Sequence, residues 1–305
     1  MMGGMDTWCQ IPLGFALLLA ACGGGASGGG PGPDGGALGD AGCAPTLGGA
    51  DASIFDQTSS RLVLTGDATY LELTGAILDG PAIAFHVESD RIGACRLLIY
   101  DGAACDPACE AGYACLDGAC VPNPAALSAG ALTLRGIADA PVVVEPTSDA
   151  QYYWSTSQIG VLDVPAIRVE AAGGAVAPFA LEACVAEPPA PIGDWSAAMA
   201  ARGPGEDVTL AWSNPLPTAR VYLRMTTGIG THGGISPVEI ECERRDTGAL
   251  TLPGAFLDAL YGCDCWSCGE CGDNRLFRYH ADEAEAGGTT VQLRTQSAAA
   301  FYYRP

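Results

Sequence analysis

An all-β chain of two sandwich modules is the architecture this sequence predicts, and three observations carry the prediction. Apolar or alternating segments of strand length recur at regular spacing, Gly, Asp and Pro punctuate them, and helical periodicity is nearly absent. In the first half, RLVLT (61–65), TYLEL (69–73), AIAFHVE (82–88) and CRLLIY (95–100) are bounded by Gly-Asp, Asp-Gly-Pro and Asp-Gly turns. ALTLR (131–135), PVVVE (141–145), AIRVEA (166–171) and FALEAC (179–184) continue the series, giving a first module over 51–188. The Pro-rich stretch Ala186-Glu187-Pro188-Pro189-Ala190-Pro191 reads as the boundary.

The second module, 189–305, restarts with EDVTLAW (206–212), ARVYLRM (219–225), PVEIEC (237–242) and GALTL (248–252). Pro253 at a first helical position, with Phe256, Leu257 and Leu260 behind it, predicts one short helix. LFRYH (276–280), TTVQLRT (289–295) and AFYYR (300–304) close the chain. Seven short segments suit an immunoglobulin-like sandwich, with Trp212 as its buried tryptophan.

Ahead of the modules lies a different kind of sequence. The apolar run Ile11–Ala21 is 11 residues long, too short to span ~30 Å of hydrocarbon at ~1.5 Å per residue. It has the length of a signal-peptide core and ends in small residues. Leu19-Ala20-Ala21-Cys22 resembles the lipobox of bacterial lipoproteins. That resemblance makes 1–21 a signal peptide and Cys22 the acylated first residue of the mature chain, and Gly23 resembles an outer-membrane sorting residue. Met1 to Gln10 carries Asp6 and no Lys or Arg, a departure that puts the start among Met1, Met2 and Met5 in question. Residues 22–50 hold 13 glycines in 29 positions, a flexible tether with a reach of about 30 Å. Ser27 in Gly25-Ala26-Ser27-Gly28-Gly29 matches a nucleophile elbow only formally, because no strand or helix flanks it.

Composition narrows the function classes. Hydrophobic residues make up 49% and charged residues 16%, the formal charge is −21, and all 14 basic residues are arginine. No basic stripe exists for phosphate, which argues against nucleic acid as a partner. The same charge repels anionic lipid surfaces, so membrane attachment rests on the acyl chain.

The 14 cysteines are read through the compartment. Once Cys9 leaves with the signal and Cys22 takes lipid, an even number remains for disulfides in an oxidising space. Cys105, Cys109, Cys115 and Cys120 sit in a Gly/Ala/Asp-rich insertion (101–123) that has no core of its own. Pairing 105 with 115 and 109 with 120 is expected among three connectivities, with zinc as the alternative. Cys263, Cys265, Cys268 and Cys271 suit either disulfides, with Cys242 as a further partner, or a tetrahedral zinc site; their spacing is also partly ferredoxin-like. The first module holds Cys43, Cys95, Cys105, Cys109, Cys115, Cys120 and Cys184, and the second holds five. Both counts are odd, so full pairing requires at least one bond between modules or from the tether. No resident cofactor is expected on the disulfide reading.

Other chemistry is thin. His86 alternates within a strand, His232 lies in the loop GIGTHGGIS (228–236) near Ser236, and His280 ends a strand. No Ser-His-acid spacing, H-E-x-x-H, Walker loop or EF-hand loop is present. Asp282, Glu283 and Glu285 read as a solvated acidic turn, with calcium as the alternative. Tyr152-Tyr153-Trp154 and Phe301-Tyr302-Tyr303 serve the core or, where they face outward, a sugar or protein partner.

The segments IRVEAAGGAVAPFALEA (167–183), VTLAWSN (208–214) and IECERRDTGALTLPGAFLDAL (240–260) resemble uncharacterised predicted lipoproteins of GC-rich Gram-negative bacteria. The resemblance implies a cell-envelope protein, periplasmic or surface-exposed, and brings no catalytic residues. The expectation is therefore a lipid-anchored, non-enzymatic binding, adhesion or structural protein with a protein or polysaccharide partner. A thiol-metal protein is the alternative.

Overall fold

The computed structural model describes residues 60–66, 70–100, 105–116, 118–157, 164–226, 236–260 and 274–301. The signal peptide, Cys22, the tether, Cys43, His232, Tyr302, Tyr303 and the 263–271 cysteines lie outside the described residues. The chain is all-β, with two short helices among the described residues. Its first strands are β1 Arg61–Gly66, β2 Leu71–Ala76, β3 His86–Ile92, β4 Cys95–Tyr100, β5 Tyr113–Leu116 and β6 Ala119–Pro122. They are followed by β7 Leu132–Arg135, β8 Val142–Val144, β9 Gln151–Thr156, β10 Ala166–Ala171, β11 Phe179–Cys184 and α1 Trp195–Ala201. The chain continues with β12 Val208–Ala211, β13 Arg220–Thr226, β14 Val238–Arg245, β15 Ala249–Leu252, α2 Gly254–Ala259, β16 Asn274–Ala286 and β17 Thr289–Phe301.

Nine strands form one sheet in the order β3-β4-β14-β13-β16-β17-β1-β2-β9. Within it β1 runs parallel to β17, and every other pairing is antiparallel. A four-stranded sheet (β11-β10-β7-β8) and a two-stranded one (β12-β15) accompany it. Period-two alternation makes these layers possible. In β1, Leu62 and Leu64 point inward between half-exposed Arg61, Val63 and Thr65. In β14, Val238, Ile240 and Cys242 point to the core while Glu239, Glu241 and Glu243 point to the opposite face.

Two hydrophobic cores result. The first gathers Leu62, Leu73, Leu134, Val169, Leu181 and Leu293; the second gathers Trp212, Leu223, Ile240, Leu252, Phe256 and Leu276. The boundary expected at 188/189 does not separate them. Cys95 of β4 belongs to the second core, while Ala286, Val291 and Leu293 from the end of the chain belong to the first. The physical reason is the β16–β17 hairpin, two strands of 13 residues each, which is long enough to floor both cores. Sequence breaks this hairpin into LFRYH, TTVQLRT and AFYYR because its middle turns polar residues inward.

That polar middle meets the segment joining the halves. Thr295 Oγ1 donates to the carbonyl of Cys184, Ser297 Oγ donates to that of Ala186 at 2.7 Å, and Arg278 Nη1 donates to that of Glu187 at 2.9 Å. An irregular segment laid across a sheet carries carbonyls that need donors, and these three side chains supply them. Arg278 and Asp246 are 1% and 0% exposed at their side chains and pair at 2.6 Å. Asp246 also accepts from Trp212 Nε1 (2.7 Å), Leu216 N (2.9 Å) and Gly248 N (3.1 Å), so the buried charge is fully engaged.

Three local readings change. The acidic turn at 282–285 is strand β16: Asp282 accepts from Glu182 N, Glu283 from Gln292 Nε2 and Glu285 from Thr290 Oγ1. The turn is Gly287-Gly288, whose φ values of 69° and 93° only glycine adopts without strain. Helix α1 went unread although its signals are present: Asp194 caps Ala197 N at 3.0 Å, and Trp195 and Met199, four residues apart, are both buried. Cys242 is not a spare thiol for the 263–271 cluster; it is bonded to Cys95, directly opposite it on β4.

Candidate binding surface

The cysteine-rich insertion is a two-stranded knob, β5–β6, built on crosslinks. Cys105–Cys115 and Cys109–Cys120 have Cα separations of 5.6 and 5.5 Å, the pairing expected from the sequence. Loops of 10 and 11 residues contribute about 3 kcal/mol each on the loop-entropy model, which replaces the core that the segment lacks. Backbone bonds seat its stem: Asp79 N to Ala125 O (3.0 Å), Leu127 N to Ile77 O (2.7 Å), and Ala125 N to the Asp79 carboxylate (2.8 Å). The sulfurs of Cys105, Cys109 and Cys120 lie within 4.8 Å of one another. All three are consumed in disulfides, so none presents a thiolate to a metal. Tyr113 on the knob is 48% exposed, and Leu116 is also exposed.

A second exposed apolar group lies on the outermost hairpin of the large sheet. Val87 and Ile99 are opposite each other in β3 and β4; both are exposed, as are Phe85 and Ile92. Here the apolar face of the sheet runs past the layer that covers it elsewhere. β3 is also an edge strand, and it carries a register shift between Glu88 and Asp90 that interrupts its free hydrogen-bonding side.

His86 begins β3. Its Nε2 donates to the Ser236 carbonyl at 2.7 Å and lies 3.4 Å from a Glu239 oxygen. His280 is buried in the polar middle of β16. Tyr152-Tyr153-Trp154 divides by alternation. Tyr152 enters the core, accepting from Ala129 N and donating to Gly130 O, Trp154 packs half-buried against the first core, and Tyr153 is exposed. Phe301 is core and touches Trp195 edge-on. Cys184 is also disulfide-bonded, with its partner outside the described residues.

The face of the large sheet opposite the cores carries a charged lattice that sequence reading missed. Glu239 takes both fork nitrogens of Arg224, Glu241 takes Arg96 and the Tyr222 hydroxyl, and Glu243 takes Arg220 and the Tyr279 hydroxyl. Burial, then the neighbouring glutamates, raises the pKa of both tyrosines well above the usual phenol range. The signal for this face is the strict alternation of VEIECERR against RVYLRMT, whose polar half marks it as clearly as the apolar half marks the core. No protein-family model matches the chain, and no curated protein matches it.

Proposed function

We propose that this protein is a lipid-anchored component of the cell envelope that binds a protein or polysaccharide partner, without catalysis, through the knob and the β3–β4 hairpin. One observation carries the reading: all seven cysteines among the described residues are in disulfides. Such a framework is at home outside the reducing cytosol, which is where a lipidated Cys22 would deliver the chain. The large apolar side chains left exposed at Val87, Ile99, Tyr113 and Leu116 sit on paired strands, those of the knob crosslinked as well, and rigid apolar anchors are what interfaces use.

The experiment is metabolic labelling with a fatty-acid analogue, comparing the native chain with Cys22→Ala, followed by thiol counting on the non-reduced protein. Label on the native chain alone, with no free thiols, is the expected result. An unlabelled product with free thiols in the soluble cell interior overturns the reading, and one zinc per chain would then favour the thiol-metal alternative. Binding of the de-lipidated protein to isolated envelope polysaccharide or envelope protein is expected to fall at least tenfold in a Tyr113→Ser, Leu116→Ser, Val87→Ser variant.

A further inference from the structure

The Nε and Nη2 nitrogens of a guanidinium form a fork that holds two oxygens of one anion in parallel. Among the described residues, Arg91 and Arg224 use the fork on carboxylates of the chain. Arg91 holds Glu88 at 2.7 and 2.6 Å, and Arg224 holds Glu239 at 2.9 and 2.7 Å. Arg294 of β17 presents the same fork on the charged face of the sheet, but its Nε and Nη2 are both buried and meet no hydrogen-bond partner. The side chain is fixed nonetheless. Its guanidinium carbon lies 4.0 Å from the ring centre of Tyr279 and 5.0 Å from that of Tyr222, and the residue is 3% exposed.

The nearby carboxylates already have partners: Glu243 is held by Arg220 and Tyr279, and Glu241 by Arg96 and Tyr222. Arg61, whose β1 strand lies beside β17, adds positive charge close enough to act on Arg294. Burial pushes the Arg294 pKa down to about 10, which still leaves it charged at neutral pH. A buried cation with two open donors is costly unless an anion meets them. Each of these described glutamates of the face is already paired, which leaves the fork open to an anion from outside the chain.

We infer that the Nε/Nη2 edge of Arg294 is a binding site for a small two-oxygen anion, a carboxylate or oxyanion no larger than phosphate. The two tyrosine rings flank the guanidinium, Arg61 supplies additional positive potential, and the burial of the residue restricts the ligand to a small one.

The test is thermal unfolding of the disulfide-intact chain in millimolar sodium formate against sodium chloride at matched ionic strength. The expected result is a saturable stabilisation by formate, with a 100-fold excess over the dissociation constant raising the folding constant about 100-fold. Arg294→Lys, which keeps the charge and loses the fork, is expected to weaken the effect at least tenfold, and Arg294→Gln to abolish it. Should Arg294→Gln fail to fold, line broadening of 13C-formate by the native protein, reversed by inorganic phosphate, serves in its place. Equal midpoints in formate and chloride, an undiminished formate response in Arg294→Gln, or no broadening would each overturn the assignment and leave a trapped water as the occupant.

Discussion

Replacing the Cys95–Cys242 disulfide with a Cys95→Ala, Cys242→Val pair tests how much the crosslink between β4 and β14 contributes to stability. The bond closes a loop of 147 residues, for which the loop-entropy model predicts about 5 kcal/mol, with 2–5 kcal/mol the usual experimental range. The knob disulfides nested inside shorten that loop by little more than ten residues, and the dependence is logarithmic, so they barely change the figure. Both sulfurs are fully buried in the second core, and alanine with valine roughly conserves the volume removed. A loss of about 3–5 kcal/mol is therefore expected. With a guanidinium slope of about 5 kcal/mol/M, the midpoint falls by about 0.6–1 M. The assay is equilibrium unfolding followed by both circular dichroism and fluorescence, on protein whose remaining disulfides are intact. Because β16 and β17 floor both cores, the two probes should still coincide. A midpoint shift under about 0.2 M with an unchanged slope would refute the crosslink argument, and separation of the two probes would refute the shared-sheet argument.

Asp246→Asn leaves Arg278 without its charge partner in a dry site and is expected to cost about 3–5 kcal/mol in the same unfolding assay. An Asp246→Leu, Arg278→Met double variant, which removes both charges, should cost less than the single change. Gly75 faces Leu62 across β1–β2, and a Cβ there would lie 2.2 Å from the Arg61 carbonyl oxygen. Gly75→Ala must spread two central strands and should lower stability by about 1–3 kcal/mol, measurable as a lower thermal midpoint. Arg91 beside Glu88, Arg168 beside Glu170 and Arg202 beside Asp258 hold those carboxyls below their ordinary values. A depressed folded-state pKa contributes stability that is present above the ordinary carboxylate range and is lost as pH falls through the folded value. The unfolding midpoint should thus be flat from pH 4.5, the ordinary glutamate value, up to the phenol range, and decline below it. These groups are exposed, so the decline should be shallow and should shrink further in a Glu88→Gln, Glu170→Gln, Asp258→Asn variant or at high salt.

Strand faces were legible in the chain because alternation is a local record of burial: RLVLT and FALEAC state which side chains face a core without reference to any partner. That the knob is held by its own crosslinks was legible from four cysteines in a segment without a core, but which of three connectivities they adopt was decided only by the fold. Trp212 is buried, as its place in an alternating segment predicts. The 263–271 cysteines and Cys22, on which the compartment argument leans, are known from sequence alone.

Partner choice was not legible. Nothing near Leu62 announces that its neighbour across a parallel ladder is Leu293, and nothing near Cys95 announces Cys242. Ladder bonds are made by the backbone, which is the same at every position, so sequence records which face is apolar but not which strand lies alongside. Buried charge was illegible for the same reason. Nothing local marks Arg278, Asp246 and Arg294 as interior; segments far along the chain bring carbonyls, an acid or aromatic rings over them. An all-β chain with alternating faces follows from short-range side-chain chemistry; one sheet flooring two cores follows from long-range pairing, which exists only once the chain has closed upon itself.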